Sequence, residues 1–212
     1  MPQIVNKSYF NKQNILYIPL ASEAPLPSAV TSTPNDGTYI DALCIEIEKT
    51  ILVNALGLTT YNELQLAIAD EFTNPLYASY KKLVNGDEYD GKIWVGLKYD
   101  LSLIAQAVWI EYVMQKNTNL SAVGNSQVNL EKGTLVTPMY KIANASASFI
   151  KQYQGQILDE PIIYDNYFID WQGCNDSVEV SLYRYLSDKK ADFPNVDLNK
   201  FKFYEQINSF GI

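Results

Sequence analysis

The sequence predicts a mainly α protein: a helical bundle built on one long central helix, with a projecting β-hairpin or extended loop and extended N- and C-terminal arms. Three observations predict it. The stretch LKYDLSLIAQAVWIEYVMQK, from Leu97 to Lys116, sets Leu97, Leu101, Ile104, Val108 and Tyr112 at steps of three and four, one stripe on a 3.6-residue repeat. Shorter stretches with helix start and stop residues lie on either side of it. Both ends of the chain lack a helical period. Trp109 and Met114 widen the central stripe, and Ala105 and Ala107 let neighbours approach, so burial on more than one side is expected. A helix of about 20 residues is roughly 30 Å long, the width of a small domain.

Residues 1–38 read as an N-terminal arm. Pro19, Pro25, Pro27 and Pro34 stand close together among small and polar residues, each removing an amide donor and biasing its predecessor towards extended backbone. Two placements fit: strapped to its own domain, or reaching a neighbouring subunit. The body spans 39–155. Its first helix starts near Tyr39, carries Ile40, Leu43, Cys44, Ile47 and Ile51 on one face, and stops at Gly57. A second helix takes Thr60 as N-cap, with Glu63 completing a capping box. A third opens at Asn74-Pro75, turns Leu76, Tyr80, Leu83 and Val84 inward, and ends at Asn85-Gly86.

The acid-rich NGDEYDGK that follows fails as a calcium loop. Counted from Asn85, positions 5, 6 and 12 are Tyr89, Asp90 and Gly96, where an EF-hand needs an oxygen ligand, glycine and glutamate. It reads as an acidic turn. After the central helix, residues 117–137 alternate small, polar and β-branched types, with turn signals at Gly124-Asn125 and Lys132-Gly133, and are too poor in apolar residues for a core strand. They read as a projecting hairpin. Pro138 then opens a helix through Tyr153 with Met139, Ile142, Ala143, Ser146, Phe149, Ile150 and Tyr153 on its face. Its small residues allow close approach to the central helix. Residues 156–212 form a C-terminal extension with one short helix near 178–190 and a tail, 192–212, expected to be separable from the fold. Its Phe201, Phe203, Tyr204 and Phe210 need burial, on the parent domain or on a partner.

Composition excludes several function classes. The 212 residues include no histidine, which removes Ser-His-Asp and Cys-His constellations and imidazole zinc sites. The net charge is −8, and Arg184 is the single arginine, so a nucleic-acid grip is disfavoured. Cys44 and Cys174 have no partner spacing for a metal knuckle or redox pair and read as reduced thiols. No apolar run is long enough to span a membrane and the N-terminus lacks a signal pattern, which predicts a soluble protein made in the cytoplasm. No catalytic, cofactor-binding or metal residue is assigned. The enzymatic alternative is a carboxylate-based glycoside hydrolase using Asp159, Glu160, Asp165 or Asp170, and a carbohydrate-binding module would use Tyr164, Tyr167 and Trp171 as stacking faces.

The succession ALGLTTYNEL, LVNGDEYDGK, WVGLKYDLSLIAQAVWIEYV, TNLSAVGNSQVNLEKG and TPMYKIANA, over roughly residues 39 to 155, resembles the small head-tail connector proteins of tailed bacteriophages of Bacteroidota, crAss-like phages included. The resemblance implies a non-enzymatic virion protein at the head-tail junction, with no cofactor, forming a homo-oligomeric, twelve-fold ring between portal and tail. Its partners would be itself, the portal protein, and tail or further ring proteins, with DNA passing through the channel without sequence-specific binding and no membrane contact. An acidic wall suits that passage, since cations would hold the phosphates. The expected assembly residues are Leu120, Val123, Val128, Leu130 and Leu135 on the projecting loop, and Phe201, Phe203, Tyr204 and Phe210 on the tail.

Overall fold

The computed structural model describes residues 3–11, 15–18, 36–116, 118–121, 124–127, 139–157, 168–169, 179–205 and 207. Six α-helices dominate them: α1 (Asp36–Leu56), α2 (Leu58–Ala69), α3 (Ala78–Asn85), α4 (Leu103–Lys116), α5 (Met139–Tyr153) and α6 (Leu182–Asp188). Three two-stranded antiparallel pairs complete them: β1 (Asp87–Tyr89) with β2 (Lys92–Trp94), β3 (Thr118–Ser121) with β4 (Gly124–Gln127), and β5 (Gln156–Ile157) with β6 (Phe168–Ile169). The protein is mainly α, as its periodicity predicts. α4 packs against α1 on one side and α5 on another, and one continuous apolar core runs from Ile4 to Phe201.

The expected long central helix is shorter, and the longest helix is α1. Residues 97–102 are not helical, because their backbone is engaged elsewhere. The amides of Leu97 and Lys98 donate to the Leu83 and Val84 carbonyls at 3.3 and 3.0 Å, satisfying the open C-terminus of α3. Ser102 then caps α4, its Oγ accepting from the Ala105 amide at 3.3 Å. The stripe itself survives: Leu97, Ile104 and Val108 are buried, Leu101 and Tyr112 half-buried. Met114 is exposed, so the widening of the stripe stops at Trp109 and Ile110.

α1 begins at Asp36, three residues before Tyr39, and ends where Gly57 turns to φ +79°. That glycine is also the N-cap of α2, so the Thr60–Glu63 capping box does not form. Thr60 lies inside the helix with a buried hydroxyl, and the Glu63 carboxylate accepts instead from the Tyr80 hydroxyl at 2.5 Å and the Asn195 amide at 3.1 Å. Asn74 caps as expected, its side chain accepting from the Leu76 amide at 3.0 Å, but the first turn is 3-10 and swings Leu76 outward to 82% exposure. Tyr80, Leu83 and Val84 are buried.

The acidic turn is a hairpin. Asp90 and Gly91 both take positive φ, +47° and +74°, the two-residue connection that matches strand twist. The chain leaving it passes Gly96 at φ +88°, where a β-carbon would sit 2.6 Å from the Gly86 nitrogen. In the second expected hairpin, Gly124-Asn125 lies within β4, with Gly124 opposite Ser121, rather than in the turn; residues 128–137, with the Lys132-Gly133 signal, lie outside the described residues, as does Cys174.

The described parts of both extensions pack on the body. Ile4, Val5, Phe10, Leu16 and Ile18 are buried in the common core, with a 3-10 turn at Lys7–Phe10. At the other end, the Val180 amide donates to the Ile93 carbonyl on β2 at 3.0 Å, and Phe193, Val196 and Phe201 are buried. The described part of the tail, residues 192–205 and 207, is therefore packed on the core through Phe193, Val196 and Phe201 and is not separable from it.

Candidate assembly surfaces

The predicted tail residues fall together in an aromatic cluster on α5. Tyr153 meets Phe201 at 4.7 Å between ring centroids and Tyr204 at 5.1 Å, while Phe149 meets Tyr204 at 5.3 Å. Tyr183 of α6 contacts Phe201 and Phe203 at 5.1 and 5.4 Å. Phe201 is buried and serves this chain's own core; Tyr204 is half-buried, and Phe203 remains 45% exposed at the rim. The helical spacing of Phe149 and Tyr153 places both rings on the face the tail covers. Leu120 sits in β3 opposite Asn125, with its side chain outside the description. Val123, Val128, Leu130, Leu135 and Phe210 lie outside the described residues.

Other apolar side chains, not singled out by the sequence, face water. On α2, Leu58 in the first turn and Leu66 in the last are exposed, while Tyr61, Leu64 and Ala67 are buried. Leu76 stands beyond them in the chain. Elsewhere, Ile15 and Tyr17 border a cavity of about 370 Å³ with Trp109, Lys141, Asn144 and Ala145, and the neighbouring Tyr140 is 72% exposed. The signal for the α2 leucines was legible: that helix carries leucines on more than one face.

Three described acids, Asp188, Asp87 and Glu48, are held in a clasp or in the core. Asp188 on α6 accepts from Lys92 at 2.7 Å, Tyr89 at 3.0 Å and Arg184 Nε at 3.2 Å, tying α6 to the β1–β2 hairpin. Burial pushes its pKa up, but Lys92, Arg184 and Tyr89 outweigh that and hold it below the usual carboxylate value. Asp87 faces Lys82 at 3.2 Å, Lys189 at 3.7 Å and the Tyr185 hydroxyl at 3.4 Å. Above them the Tyr185 ring stacks on Trp94 at 5.4 Å, and the Trp94 indole donates to the Leu83 carbonyl at 2.9 Å. Glu48 is different: it is 2% exposed, and burial pushes its pKa up to about 7 against the Val5, Ile4 and Gln65 amides that favour the ionised form. Burial also pushes the neighbouring Cys44 thiol up to about 12, which keeps it protonated and unreactive.

Among the described residues no group of three or more Cys, Asp and Glu is arranged to hold a metal, and no helix is long and apolar enough to cross a membrane. Asp159, Glu160, Asp165, Asp170, Tyr164, Tyr167 and Trp171 lie outside the described residues. No family model matches the chain, and no curated protein or solved structure matches it.

Proposed function

We propose that the protein is a non-enzymatic structural component of a tailed-phage virion, a subunit of a homo-oligomeric ring between portal and tail through which DNA passes. The observation that carries the reading is that one helical body leaves large apolar side chains in water on several elements, Leu58 and Leu66 on α2 with Leu76 beyond it, and Ile15, Tyr17 and Tyr140 elsewhere. A closed ring needs heterologous contacts, in which one patch of a subunit meets a different patch of the next. Exposed apolar side chains on several elements suit that geometry, whereas a two-fold dimer needs a single self-complementary patch. Fully burying a leucine is favourable by about 1.5–3 kcal/mol, so a few such residues at the centre of an interface of about 1,600 Å² supply a specific contact. The β3–β4 hairpin is the element assigned to reach from one subunit to the next, and the resemblance over residues 39 to 155 supplies the portal and tail as neighbours.

The test is quantitative mass spectrometry of purified particles, comparing peptides of this protein with those of the portal and the major capsid protein. A copy number equal to the portal's supports the ring. A copy number near the capsid protein's, or absence from particles, rejects it.

A further inference from the structure

The N-terminal strap, residues 3–11 and 15–18, is held on α1 by its main chain. Both the Ile4 and Val5 amides donate to Glu48 Oε2, at 2.9 and 3.2 Å. Two turns away on the same helix, Asp41 Oδ1 accepts from the Lys7 amide at 3.1 Å and its other oxygen pairs with the Lys7 ammonium at 3.6 Å. The two carboxyls differ in surroundings. Asp41 is partly open to water and has its cation. Glu48 is dry, and the groups that face it are the Tyr9 hydroxyl from the strap, the Cys44 thiol from its own helix with Asp41 beyond, and Tyr61 and the Gln65 amide from α2. None of these is a cation.

We propose that Glu48 is a protonation-controlled catch for the N-terminal strap: as a neutral acid it holds the strap on α1, and as a carboxylate it frees the strap to lift away. A buried charge with no cation facing it is relieved when water enters, and the strap covers it on one side. The neutral acid has no such penalty. Its carbonyl oxygen keeps both strap amides, and its hydroxyl can donate to the Gln65 side-chain oxygen, which is buried without a hydrogen bond. By turning its amide over, Gln65 can meet either form of the acid.

Linkage gives the sign. The carboxyl titrates near 4.5 when solvated and at about 7 beneath the strap. Strap opening therefore rises about tenfold per pH unit between those values and levels off above the higher one. Going from pH 7.5 to 5.5, opening falls about 20-fold.

The experiment is amide hydrogen exchange on the full chain at pH 5.5, 6.5 and 7.5, corrected for intrinsic rates, reading Ile4 and Val5 against the α4 amides. The expected result is a gain in strap protection of about 20-fold between pH 7.5 and 5.5, with the strap exchanging faster than α4 throughout. In Glu48→Gln, which mimics the neutral acid, strap protection at pH 7.5 rises to the wild-type level at pH 5.5 and its pH dependence disappears. Strap amides whose protection does not change with pH, or which exchange only together with α4, overturn the catch. So does a Glu48→Gln variant that keeps the wild-type pH dependence. The wild-type series decides the question alone if that variant does not fold. Asp41→Asn serves as the control, since it weakens the strap at every pH without altering the slope.

Discussion

Gln154 and Tyr204 exchange two hydrogen bonds: the Gln154 Nε2 donates to the Tyr204 carbonyl at 2.9 Å, and the Tyr204 amide donates to Gln154 Oε1 at 2.8 Å. A side-chain amide thus plays the part of a neighbouring strand for the last described stretch of chain. Replacing Gln154 with leucine leaves a main-chain donor and acceptor unpaired at a partly buried site. A loss of about 2–4 kcal/mol in a urea titration is expected. A loss below 1 kcal/mol counts against the pair as the tail's anchor.

Phe201 and Phe203 are neighbours with opposite roles. Phe201→Ala empties a buried site between Tyr153 and Tyr183 and is expected to cost about 3–5 kcal/mol. Phe203→Ala removes a ring nearly half in water and should lower the denaturation midpoint only slightly. Thermal melts of the two variants side by side check the contrast.

Gly96 and Gly57 both have positive φ, yet only Gly96 has a neighbour in the way. A β-carbon at Gly57 meets nothing within 4 Å, so Gly57→Ala carries only the strain of a backbone at φ +79°, ψ 161°, about 1–3 kcal/mol. At Gly96 the same carbon runs into the main chain of Val84, Asn85 and Gly86. The α3 terminus must then separate from the strand exit, and a loss several times larger is expected in the same denaturation assay.

Two acids bend the stability curve in opposite directions. Glu48, raised in the fold to about 7, adds stability that is complete below pH 4.5 and is lost as pH rises through 7, on the order of 3 kcal/mol. Asp188, lowered in the fold, adds stability present above pH 3.8 and lost as pH falls through its folded value. Melting temperature should therefore peak near pH 4–5. Glu48→Gln removes the decline towards neutrality and Asp188→Asn the decline on the acid side, each seen by calorimetry across pH 3–8.

In the proposed ring, assembly depends on surface leucines that do little for the monomer. Leu66→Asp lies in the open on α2, so its melting temperature should stay within a few degrees of the parent's. In phage carrying this variant, the protein is expected to be missing from particles. Normal incorporation would remove the α2 leucines from the interface.

Much of the fold was readable because helical stripes are local. α1, α3 and α5 announce themselves through steps of three and four bounded by glycine, asparagine or proline. The start of α4 did not, since Leu97 fits the stripe while its amide is needed by Leu83, a contact that no period encodes. The hairpin at Asp90-Gly91 carried its own turn signal but was weighed for metal ligation. The strap escaped because Ile4, Val5, Phe10, Leu16 and Ile18 follow no period; their burial is decided by α1. Glu48 left a trace that went unused: it stands four residues from both Cys44 and Leu52, on the buried stripe, where an acid must find donors.

α1 is gripped from both ends of the chain. Ile4 and Val5 hold Glu48, while Asn54 receives the Lys202 amide at 3.2 Å and donates to the Tyr204 hydroxyl at 2.7 Å, across 150 residues of sequence. Contacts so far apart in sequence belong to the slow, non-local class that sets folding rate, so α1 is covered at both ends only late in folding.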